Sequence, residues 1–191
     1  MSDFYDHHAD AYFKRTVFVD PSSFLMPFVL VLPEKAAVLD IGCGSGRDLL
    51  WLKNRGFSPI GLERSPGLAR LARRHSGCEV ICGDFESYDF SSLSFGAILA
   101  AGSLVHIPHH RLALVIQNIC AALLPGGIFY ISLKEGQGAK TDHVGRTFYL
   151  WQTPALMEIF KKQRFNVCHQ SHTLSVLNSK DPWLGFVLMA G

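Results

Sequence analysis

Apolar residues recur along this chain with two different spacings. Ala36-Ala37-Val38-Leu39-Asp40-Ile41, Phe95-Gly96-Ala97-Ile98-Leu99-Ala100 and Ile128-Phe129-Tyr130-Ile131-Ser132-Leu133 are nearly continuous apolar runs. Runs of that kind suit strands buried on both faces of a parallel sheet. Shorter stretches at 58–62 and 79–82 predict two further strands. Between the strands, Leu112, Val115, Ile116, Ile119 and Leu123 follow helical spacing and put one apolar stripe on a helix that Pro125-Gly126-Gly127 ends. A helix is expected from about Gly46 to Arg55, stopped by Gly56, and another from Pro66, with Ser65 as N-cap and Leu68, Leu71 and Ala72 facing inward. A loop follows from Lys134 to about Thr147, then a short helix opened by Thr153-Pro154, then extended stretches at about 165–176 and 183–190 that pair as a hairpin. Residues 1–33 read as helical, interrupted by Pro21 and Pro27.

Strands alternating with helices define the class. The expected fold is α/β: a Rossmann-like doubly wound sheet of seven strands, mostly parallel, with a C-terminal antiparallel hairpin and helices on both faces. At 191 residues the chain suits a single domain over 1–191, with residues 1–33 as a helical segment before an α/β core at 34–191.

Composition narrows the partners. A net charge of +2 gives little support for a polyanionic partner, and Arg70, Arg73, Arg74 and His75 read as the solvated face of a helix. Nucleic acid is therefore not the expected partner. The N-terminus lacks a basic region and apolar signal core, and no apolar run reaches the roughly 18 residues a span requires, so a cytoplasmic protein without membrane insertion is expected. Five scattered cysteines without a Cys-x-x-Cys pair fit reduced thiols and no metal site.

The first strand runs into Gly42-Cys43-Gly44-Ser45-Gly46. Glycines let a ligand lie against bare backbone, and the helix that follows turns its amides toward an anion. A nucleotide-like cofactor is expected there. Glu63, ending the second strand, is placed to accept hydrogen bonds from the vicinal hydroxyls of a ribose. Asp84, in Gly83-Asp84-Phe85 after the third strand, can accept from an exocyclic amine while Phe85 packs on a flat base. Ala101-Gly102-Ser103-Leu104-Val105-His106 borders the reacting end, because open α/β sheets bind ligands at the carboxyl ends of their strands.

These segments resemble the motifs of class I S-adenosylmethionine-dependent methyltransferases. Val38 to Gly46 is similar to the first motif, Gly61-Leu62-Glu63-Arg64-Ser65 to the second, Val80 to Phe85 to the third and Phe95 to His106 to the fourth. Leu124-Pro125-Gly126-Gly127 resembles the signature before the fifth strand, and Tyr5-Asp6, Ala9 and Tyr12 resemble the N-terminal segment of small-molecule members. Phe95-Gly96 departs from the frequent Phe-Asp, and the loop after that strand lacks the Asn/Asp-Pro-Pro-Tyr/Phe motif of amine-modifying members. The resemblance implies S-adenosylmethionine as cofactor and S-adenosylhomocysteine as product. It implies that Gly42, Cys43, Gly44 and Gly46 receive the methionine part, that Asp40 orients the loop or the amino group, and that Glu63 holds the ribose. Arg64, Asp84 and Phe85 flank the adenine, Ala101 and Gly102 lie under the sulfonium, and Tyr12 and Arg47 stand near the cofactor carboxylate. Residues 1–33 are expected to cover this site.

On the acceptor side, His106 is the candidate base, since its pKa lies near neutrality. His7 and His8 are placed to close over the site. Lys134, Arg146 and Tyr149 are the candidate substrate contacts, with Arg146 suited to clamp a carboxylate or phosphate. The expected reaction is in-line methyl transfer to an O, N or S atom of a small molecule. Two alternatives stand beside it: a non-catalytic cofactor-binding module, and a nicotinamide-dependent oxidoreductase. The latter expects G-x-G-x-x-G, whereas here the third glycine falls at 46 and Arg47 follows.

Overall fold

The computed structural model describes residues 2–175 and 181–191. A seven-stranded sheet organises it. Its strands are β1 (Ala37–Ile41), β2 (Ser58–Glu63), β3 (Val80–Cys82), β4 (Phe95–Ala101), β5 (Leu123–Lys134), β8 (Phe165–Leu174) and β9 (Pro182–Ala190). They lie in the order β3-β2-β1-β4-β5-β9-β8, parallel up to β5, with β9 antiparallel to both β5 and β8. The chain order reverses between β1 and β4, which is where such sheets open a crevice for ligands. The expected hairpin is thus present, but its second strand inserts between β5 and the first; residue 176 of its predicted range lies outside the described residues.

Alternate residues of each strand serve opposite layers. Leu39, Ile98, Phe129 and Leu188 belong to a core shared with α6 (His109–Ile119) and α7 (Thr153–Lys162). Val38, Leu99, Tyr130 and Val187 pack on the other face with Trp51 and Leu52 of α4 (Arg47–Lys53) and Leu25 and Phe28 of α3 (Ser22–Val29). Burying each such side chain contributes about 1.5–3 kcal/mol. In α5 (Pro66–Ser76), Ser65 Oγ accepts from the Leu68 amide as expected of an N-cap. Its buried face is Leu68, Ala69 and Ala72, with Leu71 only half-buried, so Ala69 takes the inward place expected of Leu71.

Three local expectations are corrected. The stripe at 112–123 is helical only to Ile119; a 3-10 turn over Cys120–Ala122 follows, and Leu123 already pairs with Phe95. Pro125-Gly126-Gly127 therefore lies inside β5, where the register skips between Phe95 and Ala97. Proline lacks the amide a ladder needs, and Gly126 has φ +70°, so the strand bulges there. The 134–147 loop holds a small antiparallel hairpin with its return, β6 (Ala139–Thr141) and β7 (Thr147–Tyr149). Of the two prolines in the N-terminal segment, Pro21 caps α3, whereas Pro27 sits within it.

The N-terminal segment divides its work. The helices α1 (Ser2–His7) and α2 (Ala9–Thr16) lie against α5: Ser65 Oγ donates to the Tyr5 carbonyl, and a Cβ on Gly67 would meet the Ala9 side chain at 2.9 Å. The third, α3, covers the sheet face instead. Among the described residues no helix is long and apolar enough to cross a membrane.

Candidate functional site

The carboxyl ends of β1, β2, β3 and β4 bring the four predicted segments together. Gly42, Gly44 and Gly46 all adopt left-handed backbone, φ +67°, +56° and +74°. At Gly42 the turn presses on the loop after β4: a Cβ there would sit 2.7 Å from Ser103 Cβ. At Gly46 it presses on α5, with Ala72 backbone atoms 2.9 Å from the same hypothetical position. The Gly42 and Cys43 amides both donate to the Leu62 carbonyl, at 2.7 and 3.1 Å, locking the turn to β2. Cys43 contributes only backbone to the turn's open side. Its thiol is buried beside Gly61, packs with Leu49, Ala69, Ala72 and Val80, and is pushed up by burial.

Glu63 is buried, and its carboxylate is held by two amides: Gly44 N donates to Oε2 and Ser65 N to Oε1, each at 2.9 Å. Burial pushes its pKa up, while the backbone donors and Arg64 pull it down. Each oxygen keeps a second lone pair for a hydroxyl donor. Asp40, on the β1 face turned toward α4, is buried with Oδ2 lacking a partner. Burial, followed by the nearby Asp48 carboxylate, holds it well above the usual range. Arg47 does not reach Asp40 with a hydrogen bond; it forks onto Asp48 instead, at 2.7 and 2.8 Å. Arg64 pairs with Asp84 Oδ2 at 3.2 Å on the partly exposed rim, and Asp84 Oδ1 accepts from the Glu86 amide. Phe85 packs against the α6-side core.

Tyr12 lies over the glycine turn, its ring 3.2 Å from where a Gly44 side chain would begin. Beneath α1 and α2 opens a cavity of about 420 Å³ that includes Tyr5, Tyr12, Arg47, Ala101, Gly102 and Lys134 in its wall. Lys134 pairs with Asp181 at 2.6 Å and stands over the Phe148 ring, 4.7 Å from its centroid. Arg146 stands over the same ring at 5.3 Å and over Phe4 at 4.6 Å, and is held by Asp142. Tyr149 is not part of this wall: neighbouring residues of β7 face opposite ways, and Tyr149 meets His109 edge-on at 5.4 Å.

His106 stands behind the wall. Its Nδ1 is 2.6 Å from the Thr147 carbonyl oxygen, and its Nε2 is 3.0 Å from Tyr5 Oη. Burial lowers its pKa; the Thr147 bond opposes the shift. His8 turns back onto Phe4, with Nδ1 donating to the Phe4 carbonyl at 2.9 Å, and so does not close over the site. Trp183 is a wall residue that the sequence pattern did not single out, and Tyr5 is one that the resemblance named without a role. Trp183 comes to Gly102 because β9 pairs it with Lys134, within 3.2 Å of a Gly102 Cβ position.

This arrangement defines a methyltransferase-type fold, and comparison with known proteins agrees. Residues 38–127 match the family described as methyltransferase domain. Over 100 residues, 48% of this chain and 27% of the relative, the sequence is 32% identical to 24-methylenesterol C-methyltransferase 2 of Oryza sativa. Over 104 residues, 51% of this chain and 42% of the relative, it is 32% identical to the ubiquinone biosynthesis O-methyltransferase of Xanthomonas campestris. The match thus spans less than half the length of these relatives. Among solved structures, it is similar at TM-score 0.75 to the Burkholderia thailandensis 1,6-didemethyltoxoflavin-N1-methyltransferase, crystallised with 1,6-didemethyltoxoflavin and S-adenosylhomocysteine. That likeness covers 96% of this chain and 85% of the other, at 22% identity. Over residues 38–127 the chain is thus similar to methyltransferase domains, and its fold is that of the solved methyltransferase.

Proposed function

We propose that the protein transfers the methyl group of S-adenosylmethionine to a small-molecule acceptor. The observation that carries this reading is the Glu63 carboxylate at the end of β2, fastened by the Gly44 and Ser65 amides beside the glycine turn that Tyr12, a residue of the cavity wall, overlies. The residues fit the cofactor: Glu63 keeps acceptor lone pairs for a ribose, Gly44 offers bare backbone, and the unpartnered Asp40 Oδ2 and Ser103 Oγ are polar atoms beside the turn. Arg64 and Asp84 border the adenine side, and Tyr12 and Arg47 the carboxylate side. The bound sulfonium supplies an already activated methyl carbon. The protein supplies alignment, worth roughly 7–11 kcal/mol of barrier in well-oriented reactions.

A cavity of about 420 Å³ under two helices suits a small molecule better than a polymer. The Burkholderia neighbour, crystallised with bound 1,6-didemethyltoxoflavin, supports the same size class. The acceptor atom is open across the relatives, whose names include C-, O- and N-methyltransferases. A nicotinamide dinucleotide reading fails at position 47, where an arginine already engaged with Asp48 replaces the third glycine of that fingerprint. Calorimetry with S-adenosylhomocysteine and NAD tests the proposal: heat with the first and none with the second is expected, and the reverse overturns it. Transfer of labelled methyl to an acceptor panel separates an enzyme from a silent binding module.

A further inference from the structure

Two hydrogen bonds on His106 define its protonation. The Thr147 carbonyl oxygen can only accept, so Nδ1 carries the hydrogen across that 2.6 Å contact. In the neutral ring Nε2 is then an acceptor, and Tyr5 Oη donates to it at 3.0 Å. The imidazole is sandwiched between elements far apart in sequence: Tyr5 from α1, and Phe148 from β7 at 4.6 Å between centroids. The charged groups around it are Arg146 and Asp142 from the hairpin and Arg64 from the turn after β2. Only one member of the pair, Tyr5, belongs to the cavity wall, which it shares with Gly102 and Arg146. An acceptor in that cavity meets the phenol, and reaches the imidazole through it.

We propose that Tyr5 is the catalytic residue that takes the acceptor's proton, that it passes its own proton to His106, and that the acceptor class is therefore a small molecule carrying hydrogen on the atom to be methylated, a hydroxyl or a ring N–H. This rests on the methyl-transfer reading above. The acceptor's X–H bond breaks toward Tyr5 Oη while the Tyr5 O–H bond breaks toward His106 Nε2. The lone pair left on X forms the new bond to the methyl carbon, and the sulfur–carbon bond breaks with its electron pair retained on sulfur. The positive charge that began on the sulfonium ends on the imidazolium, whose Nδ1–H stays on Thr147. His106 acts through Tyr5 and is a positioning and proton-storing residue. Burial, opposed by Arg146, also keeps the Tyr5 phenol protonated at neutral pH, as a relay requires.

Proton-coupled nitrogen NMR of the imidazole rings, in protein saturated with S-adenosylhomocysteine, tests the resting state. His106 is expected as the neutral Nδ1–H form at pH 7, with its Nε2 signal shifting in Tyr5→Phe. An Nε2–H form, or an imidazolium at that pH, overturns the proposal. Methyl transfer tests the relay. With phenol as acceptor, Tyr5→Phe and His106→Gln are each expected to lose about 100-fold or more in rate, the scale of general acid–base help. With thiophenolate, which brings no proton, the same variants are expected to lose at least about tenfold less than with phenol. Equal losses with both acceptors overturn the relay. Failure of wild-type protein to bind S-adenosylhomocysteine counts against the methyl-transfer reading instead, so the two failures are distinguishable.

Discussion

The Gly44 amide donates to Glu63 Oε2 across 2.9 Å, and so joins the glycine turn to the end of β2. The other carboxylate oxygen takes the Ser65 amide at the start of α5. One buried side chain thus holds three backbone segments in place. Glu63→Ala leaves two buried amides without acceptors, at about 1–3 kcal/mol each. Urea unfolding is expected to show a loss of about 2 kcal/mol or more, and calorimetry a weakening of S-adenosylhomocysteine of at least about tenfold. Undiminished affinity in a folded variant would remove Glu63 from the donor site.

Gly46 and Gly56 share left-handed backbone, at φ +74° and +85°, but differ in their surroundings. A Cβ at Gly46 would sit 2.9 Å from Ala72 backbone, whereas nothing lies within 4 Å at Gly56. Gly56→Ala is expected to cost only the conformational penalty, about 1–2 kcal/mol. Gly46→Ala adds a backbone collision, and its unfolding midpoint should fall clearly further. Equal midpoints would mean that the turn and α5 separate at no cost.

Asp40 gives a pH signature. Its folded-state pKa lies well above the ordinary value because of burial and Asp48. A raised carboxylate pKa favours the protonated fold, so its contribution is complete below about pH 4 and is lost as pH rises through the folded value. Asp40→Asn removes that titration. Urea unfolding at pH 5 and pH 8 should show the wild type losing more stability over that interval than the variant. Parallel curves would contradict an unpaired buried carboxyl at this position.

The Arg64–Asp84 pair separates folding from binding. Both side chains are about a third exposed, at 33% and 32%, and such pairs contribute about 0–1 kcal/mol. Asp84→Asn should leave the unfolding midpoint nearly unchanged while weakening S-adenosylhomocysteine, because the change removes an acceptor oxygen from the side chain proposed to border the adenine. A large stability loss with normal binding would make the pair structural.

Sequence periodicity was a good guide wherever one run of residues made one element. The turn at 42–46, the Ser65 cap and the strands carrying Glu63 and Ala101 all depend on local pattern, and they fall close to where they were expected. Long-range pairing left no such trace. Nothing around Trp183 indicates that β9 enters the sheet beside β5 and sets this ring on Gly102. The hairpin after β5 escaped because its strands are three residues long and lie among glycines. Its two-sided geometry also divides Arg146 and Phe148, beside the cavity, from Tyr149, which meets His109. His106 was expected beside the methyl group, yet Tyr5 stands between it and the cavity, a contact spanning 101 positions in the chain.

The wall of the cavity has three authorships. Tyr5 and Tyr12 come from the N-terminal helices, Arg47, Ala101 and Gly102 from the start of α4 and the end of β4, and Lys134, Phe148 and Trp183 from the chain's final third. β9 joins those later residues to the sheet through its register with β5. Selection can therefore recut the later stretch, exchanging one clientele for another, without disturbing the handhold on the donor. A laboratory graft of that stretch between kindred chains has a natural seam at the bulge in β5.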